Sequence, residues 1–299
     1  MQKFEIENHE YSLLPEGKKW KLAWHDEFDG DALDESKWNY RLNFWGKRFP
    51  AYCDKGVSLD GKGNAVFRPV KTEDGRICSS QLQTGSNSFD IPKENYDFAT
   101  NAAGDNHFWQ IGRLPKPCFM HRYGYYEVRC KLQKTDGWWS AFWLQANATG
   151  TTYDPEWSGV EVDVMEYFGG RKLTSGNFYG GYGKDLKNDA RVHYDLLGNP
   201  LKGYDDNPQS AIAKQLEKAE NEFHRFGVLW TENEYVFYFD GKKTAQTNKP
   251  VSQVPQFILL TTEVGGYRHG DGLRHDPNAE NSLGDSFTVD YVRVFDEAE

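Results

Sequence analysis

The chain has 299 residues and a formal net charge of −10, from 35 Lys+Arg against 45 Asp+Glu, a balance that argues against a nucleic-acid backbone or an anionic membrane as the main partner. Mean hydropathy is −0.80 and no apolar run nears the roughly 18 residues of a membrane span, so no membrane-spanning segment is expected. Ten Trp, 17 Tyr and 19 Phe exclude a disordered chain and exceed what most cores need; stacking on flat, polar-edged ligands such as sugars is one use for the surplus.

Residues 1–10 lack a basic stretch followed by an apolar one, so the chain is expected either to stay in the cytoplasm or to have lost an export signal. Cys53, Cys78, Cys118 and Cys130 show no CxxC spacing and no paired His. The spacing argues against zinc, and disulfides or free buried thiols remain open. Segments 125–132, 160–168, 235–241, Phe257–Val264 and 287–295 are β-branched and aromatic, several alternate in character, and Gly, Pro, Asn and Asp clusters punctuate them. They read as strands. The one helix candidate is 210–222, short and mostly polar. Strands outnumber helices and the last one reads as a core element, which predicts a single all-β domain over 1–299: an antiparallel two-sheet sandwich closed by its C-terminal strand.

The most informative segment is Ser158-Gly-Val-Glu161-Val-Asp163-Val-Met-Glu166-Tyr-Phe-Gly-Gly170. Acids on an otherwise apolar strand must face a wet cavity or one another, because burying them without partners is costly. Strict alternation puts Glu161, Asp163 and Met165 on one face and Glu166 on the other. A β-bulge at Val164-Met165 returns Glu166 to the face of Glu161 and Asp163. The glutamates are then about 13 Å apart at Cα, at roughly 3.3 Å per step. Leaning side chains can bring their carboxyls to roughly 5–5.5 Å, the separation used for glycoside hydrolysis with retention. One carboxylate would attack the anomeric carbon and the other would hold the proton for the departing oxygen, with Asp163 between them tuning the pair. The competing reading is a solvated edge strand.

At this motif the sequence resembles glycoside hydrolase family 16, the laminarinase, lichenase, agarase and carrageenase group. Its bulged E-x-D-x-x-E form stands here as Glu161-Val-Asp163-Val-Met-Glu166. Trp24-His-Asp-Glu-Phe-Asp-Gly30 is similar to the family's opening segment, and Tyr123-Gly-Tyr-Tyr-Glu-Val-Arg129 to a later strand. Gly137-Trp-Trp-Ser-Ala-Phe-Trp-Leu144 resembles G-x-W-P-A-F-W-L, with Ser140 where Pro is usual. Phe223-His-Arg-Phe-Gly-Val-Leu-Trp230, Phe239-Asp-Gly241 and Val289-Asp-Tyr-Val-Arg-Val294 follow in order, so the likeness runs from Trp20 to Phe295.

The resemblance implies a concanavalin-like jelly roll with a concave groove for a polysaccharide. Glu161 would be the nucleophile, Asp163 its partner and Glu166 the acid/base. Trp139 and Trp143 match two groove tryptophans, with Trp139 nearest the cleaved sugar, whereas Phe142 is expected in the core. Trp109 and Trp157 are further subsite candidates. Asn177 and Tyr179, where many laminarinase-like members carry a histidine on the neighbouring strand, are expected at sugar hydroxyls, and Glu263 near the groove. A structural calcium on the convex face would involve Glu27, Gly63 and Asp290, which also read as turn residues; catalysis requires no cofactor.

The expected activity is endo-hydrolysis of β-1,3- or mixed-linked β-glucan. The alternatives are a galactan (agarose, porphyran or carrageenan), suggested by segment 44–50 and by the two Arg and two His of 267–275, or a non-catalytic sugar-binding jelly roll, against which the intact acid trio counts. A monomer is expected. It would be secreted, periplasmic or surface-attached, because a polymer is cut outside the cytoplasm. Asn147-Ala-Thr149 is a formal glycosylation sequon.

Overall fold

The structure, a computed structural model, describes residues 1–44, 46–90, 114–149, 155–169, 220–248, 251–265 and 276–298, with short backbone stretches at 173–174, 177–179, 193–194 and 200–201. The principal strands are β1 (Lys19–Asp26), β2 (Asn39–Tyr40), β3 (Val57–Leu59), β4 (Ala65–Phe67), β5 (Gln81–Gln83), β6 (Gly124–Lys131), β7 (Trp138–Gln145), β8 (Glu161–Tyr167), β9 (Leu173–Thr174), β10 (Asn177–Tyr179), β11 (His224–Trp230), β12 (Tyr235–Phe239), β13 (Lys242–Thr247), β14 (Phe257–Val264) and β15 (Phe287–Ala298). All five predicted strands are present. Of the 210–222 helix only its end lies within the described residues, with Glu220 and Asn221 helical.

These strands form two antiparallel sheets. One runs β9-β8-β7-β14-β5-β2 with β10 also paired to β8; the other runs β13-β12-β11-β6-β15-β4-β3 with β1 also paired to β15. Alternation decides which side chains meet between them. From the first sheet Leu82, Trp138, Phe142, Leu144, Val162, Ile258 and Leu260 enter the core. From the second come Tyr126, Val128, Phe226, Val228, Trp230, Val292 and Val294. Phe142, expected in the core, is fully buried, as is Trp230, and Trp24 packs against this core at its margin. The C-terminal strand lies between β6, β4 and β1, which is why it reads as a core element. All four cysteines are free thiols, Cys78 and Cys130 buried, which decides between the two alternatives left open by their spacing.

The outer face of the second sheet is covered by the hairpin of Gln2–Phe4 with Ser12–Leu14. Leu14 and Phe4 pack there with Tyr125, Leu229 and Phe295. The outer face of the first sheet is therefore the one left for a ligand.

Candidate active site

The acid-bearing strand departs from simple alternation where the sequence predicts it. Along the β7–β8 ladder Trp143 stands opposite Asp163 and Phe142 opposite Met165, so one step along β7 is matched by two along β8. Val162, Val164, Met165 and Tyr167 all lie in the core cluster. Consecutive inward residues at 164 and 165 are the signature of a bulge, and they turn Glu166 outward to join Glu161 and Asp163. Asp163 is buried while Glu161 and Glu166 are half-buried. Gly159, at φ +76°, leads into the strand, and a Cβ there would stand 2.5 Å from the Ala146 Cβ. Glycine thus permits the close approach that sets the start of β8 against the end of β7.

Three of the sequence-predicted neighbours converge on this face. Trp139 pairs with Glu263 across β7–β14, is half-buried, and its ring centroid is 5.7 Å from that of Phe168. Trp143 is 8% exposed: its Nε1 donates to Thr261 Oγ1 at 2.8 Å, and the Arg41 guanidinium lies 5.4 Å from its ring centre. It forms part of a floor. Glu263 is buried and accepts the Tyr52 hydroxyl at 2.7 Å. On the other flank, backbone register sets Asn177 opposite Asp163 and Tyr179 opposite Glu161. Trp157 stands 75% exposed on a single helical turn, Pro155–Ser158, immediately before β8. Trp109 and the 267–275 loop lie outside the described residues.

Ser140, at the position where the resemblance has proline, faces inward. Its hydroxyl donates to Gln133 Oε1 at 2.7 Å, and Gln133 Nε2 donates to Tyr167 O at 3.0 Å, so the substitution is absorbed by a buried hydrogen bond.

Several polar residues that sequence reasoning missed join the acids. Gln145 Nε2 donates to Glu161 Oε2, and Asn87 Nδ2 donates to Gln145 Oε1 at 2.5 Å. Arg41 Nε donates to Asp90 Oδ2 and its Nη1 to Gln81 Oε1 at 2.9 Å. Gln145 was legible, since alternation from Trp139 through Ala141 and Trp143 leads to it. Asn87, Asp90, Arg41 and Tyr52 come from loops or strand ends, where no periodicity announces a facing direction.

The expected calcium position is a different matter. Glu27 accepts from Arg293 Nε at 2.9 Å and Nη2 at 2.7 Å, and Asp290 accepts from Arg129 Nη1. Gly63 does lie close, its Cβ position 3.5 Å from the Glu27 carbonyl oxygen. Among the described residues no group of three or more His, Cys, Asp or Glu side chains is arranged for a metal. With both carboxylates committed to guanidinium groups, the side chains do not fit a calcium ion held by carboxylates.

Comparison with known proteins agrees with this geometry. A family model described as "Beta-porphyranase A-D, GH16 domain" matches residues 75–297. A glucan endo-1,3-beta-glucosidase A1 of Niallia circulans is 27% identical over 293 residues, covering 92% of this chain and 38% of its own length. A beta-porphyranase B of Phocaeicola plebeius is 26% identical over 270 residues, covering 84% and 77% respectively. The chain spans 38% to 55% of the length of three of the curated relatives that it matches. Among solved structures, the laminarinase of Rhodothermus marinus superposes with a TM-score of 0.61 at 19% identity, covering 95% of this chain and all of the other. That likeness establishes the fold as a jelly roll. The bulged acid strand, the sheet order and the extent of the family match lead to one conclusion: the chain belongs to glycoside hydrolase family 16.

Proposed function

We propose that this chain is a retaining endo-β-glycanase with Glu161 as nucleophile, Glu166 as acid/base and Asp163 as their electrostatic partner, acting on β-1,3- or mixed-linked β-glucan. The observation that carries the reading is the bulge in β8, which gathers the three acids on the ligand-facing side of the sheet. In the first step the Glu161 carboxylate attacks the anomeric carbon as Glu166 gives its proton to the glycosidic oxygen. The bond to the leaving chain breaks and a glycosyl ester forms on Glu161. In the second step the Glu166 carboxylate takes a proton from water, the water oxygen attacks the same carbon, and the ester cleaves with net retention. Half-burial of Trp139 beside Glu263 offers an aromatic face to the apolar side of a sugar ring. A polymer substrate requires an enzyme exported from the cytoplasm, and the single sandwich works as a monomer.

A second reading, a galactan hydrolase, is supported by the porphyranase description of the matching family model. Digestion of laminarin, lichenan, agarose, porphyran and carrageenan with product sizing separates the two. Mixed oligosaccharides from a glucan support the first reading, release from a galactan alone supports the second, and no cleavage of any polymer refutes both. Glu161→Gln should abolish turnover while oligosaccharide binding persists, and an NMR time course should show the β-anomer first. Initial α product would overturn the retaining assignment.

A further inference from the structure

Below the acid row runs a hydrogen-bond chain whose direction is fixed at every amide. The Asp90 main-chain N–H donates to Asn87 Oδ1 at 3.0 Å. That contact leaves Asn87 Nδ2 aimed at Gln145 Oε1, 2.5 Å away. Gln145 in turn presents Nε2 to Glu161 Oε2. Asn87 and Gln145 are both fully buried, so bulk water is not at hand to replace either donor. The loop carrying Asn87 is pinned as well: Arg41 bonds both the Asp90 carboxylate and Gln81 on β5, and Ser88 Oγ donates to Asn147 O at 3.0 Å.

We propose that Asn87 and Gln145 are positioning residues that hold Glu161 in its attacking orientation and in its ionised form, an inference that rests on Glu161 being the nucleophile. A carboxamide has a donor end and an acceptor end of nearly equal shape. Turned over, Gln145 would aim an oxygen at the carboxylate and repel it. Asn87 Nδ2 prevents that turn, and Asn87 is itself held by a main-chain N–H, which has no acceptor end. The polarity of the relay is therefore anchored in the backbone. A donor on an ionised carboxylate favours the charged form, which the nucleophile must keep while its neighbour holds a proton. Among the described residues, the other charged groups along this face are Asp163 and Glu166 on β8 and the Arg41–Asp90 pair beside Asn87, while Glu263 on β14 lies six ladder positions from Gln145.

The test compares Asn87→Asp, Gln145→Leu and Gln145→Glu with Glu161→Ala, each assayed on the polymer that wild-type protein cuts fastest. In Asn87→Asp the new carboxylate would still accept the Asp90 N–H but can only accept from Gln145, so the amide turns its oxygen toward Glu161. For Asn87→Asp and Gln145→Leu, kcat should fall by about 10- to 100-fold, the range for one hydrogen bond to a charged group. KM should change little, and the acid limb of the pH profile should move to higher pH. Gln145→Glu, nearly isosteric and so the safer fold, should move that limb furthest by adding a like charge. Urea midpoints report whether each variant folds. Wild-type kcat and acid limb in Asn87→Asp and Gln145→Glu, with Glu161→Ala inactive, would refute the relay and leave the nucleophile assignment standing. Turnover by Glu161→Ala would overturn that assignment and the relay with it.

Discussion

Tyr52 donates its hydroxyl to the Glu263 carboxylate at 2.7 Å, joining positions 211 residues apart in the chain. The Tyr52 ring packs on Phe49 at 4.7 Å and on Phe44 at 6.2 Å between centroids. A short aromatic loop is thereby fastened to the end of β14, beside Trp139. Tyr52→Phe keeps the ring and removes the donor from a buried carboxylate. It should cost about 1–3 kcal/mol of stability and raise KM more than it lowers kcat, because the loop borders the binding face rather than the acids. Urea unfolding and steady-state kinetics check both, and an unchanged midpoint would mean the bond contributes nothing.

Met165 discriminates a bulged strand from a regular one. In regular alternation it would share the ligand face with the acids and tolerate a polar replacement. Here it is fully buried in the core. Met165→Gln is similar in size but brings a carboxamide into apolar packing, so a loss of about 2–4 kcal/mol is expected. Thermal and urea denaturation measure it, and a change below about 0.5 kcal/mol, the size of an ordinary surface substitution, would contradict the bulge.

On the opposite face, burial pushes the Glu27 carboxyl up. Hydrogen bonds from His25 and Arg293, with the charges of Arg293 and His9, outweigh that and hold it down to about 2 from an ordinary 4.5. A carboxyl depressed on folding stabilises fully above its unfolded pKa and loses that contribution as pH falls through the folded one. The window is therefore from about 4.5 down to 2. Wild-type protein should exceed Glu27→Gln in stability by about 3 kcal/mol at pH 7, with the gap closing across that window. Urea unfolding of both proteins at stepped pH provides the measurement, and a gap independent of pH would contradict the pairing.

Cys53 is the reactive thiol of its pair. A hydrogen bond from Cys78 lowers it most, burial opposes, and main-chain and Ser80 contacts assist, holding it below the ordinary thiol range. Cys78 is pushed up by donating that bond and by burial, and Cys130 by burial. At pH 7 iodoacetamide should modify Cys53 well before Cys78 or Cys130, because the thiolate is the nucleophile. Peptide mass spectrometry resolves the sites. Equal labelling of the three would refute the hydrogen-bonded pair.

The five predicted strands and the inward side of Phe142 are legible in local pattern, whereas on β14 the inward Ile258 and Leu260 stand beside equally apolar Phe257 and Leu259 on the other face. The bulge is local too, since Glu166 could join Glu161 and Asp163 only if Met165 turned inward, as it does. Other features depend on contacts that no window of sequence contains. Asn87 reaches Gln145 across 58 residues and Tyr52 reaches Glu263 across 211, and the arginines that occupy Glu27 and Asp290 arrive from other strands. Side-chain direction along a strand is set every second residue by the pleat and can be read without knowing the partner strand. Which loop closes over that strand, and whether a carboxylate meets an amide or a guanidinium there, depends on how the whole chain folds back on itself. Local pattern thus suffices for the two-sheet sandwich and the row of acids, whereas the contacts that hold those acids in place exist only once distant segments are packed together.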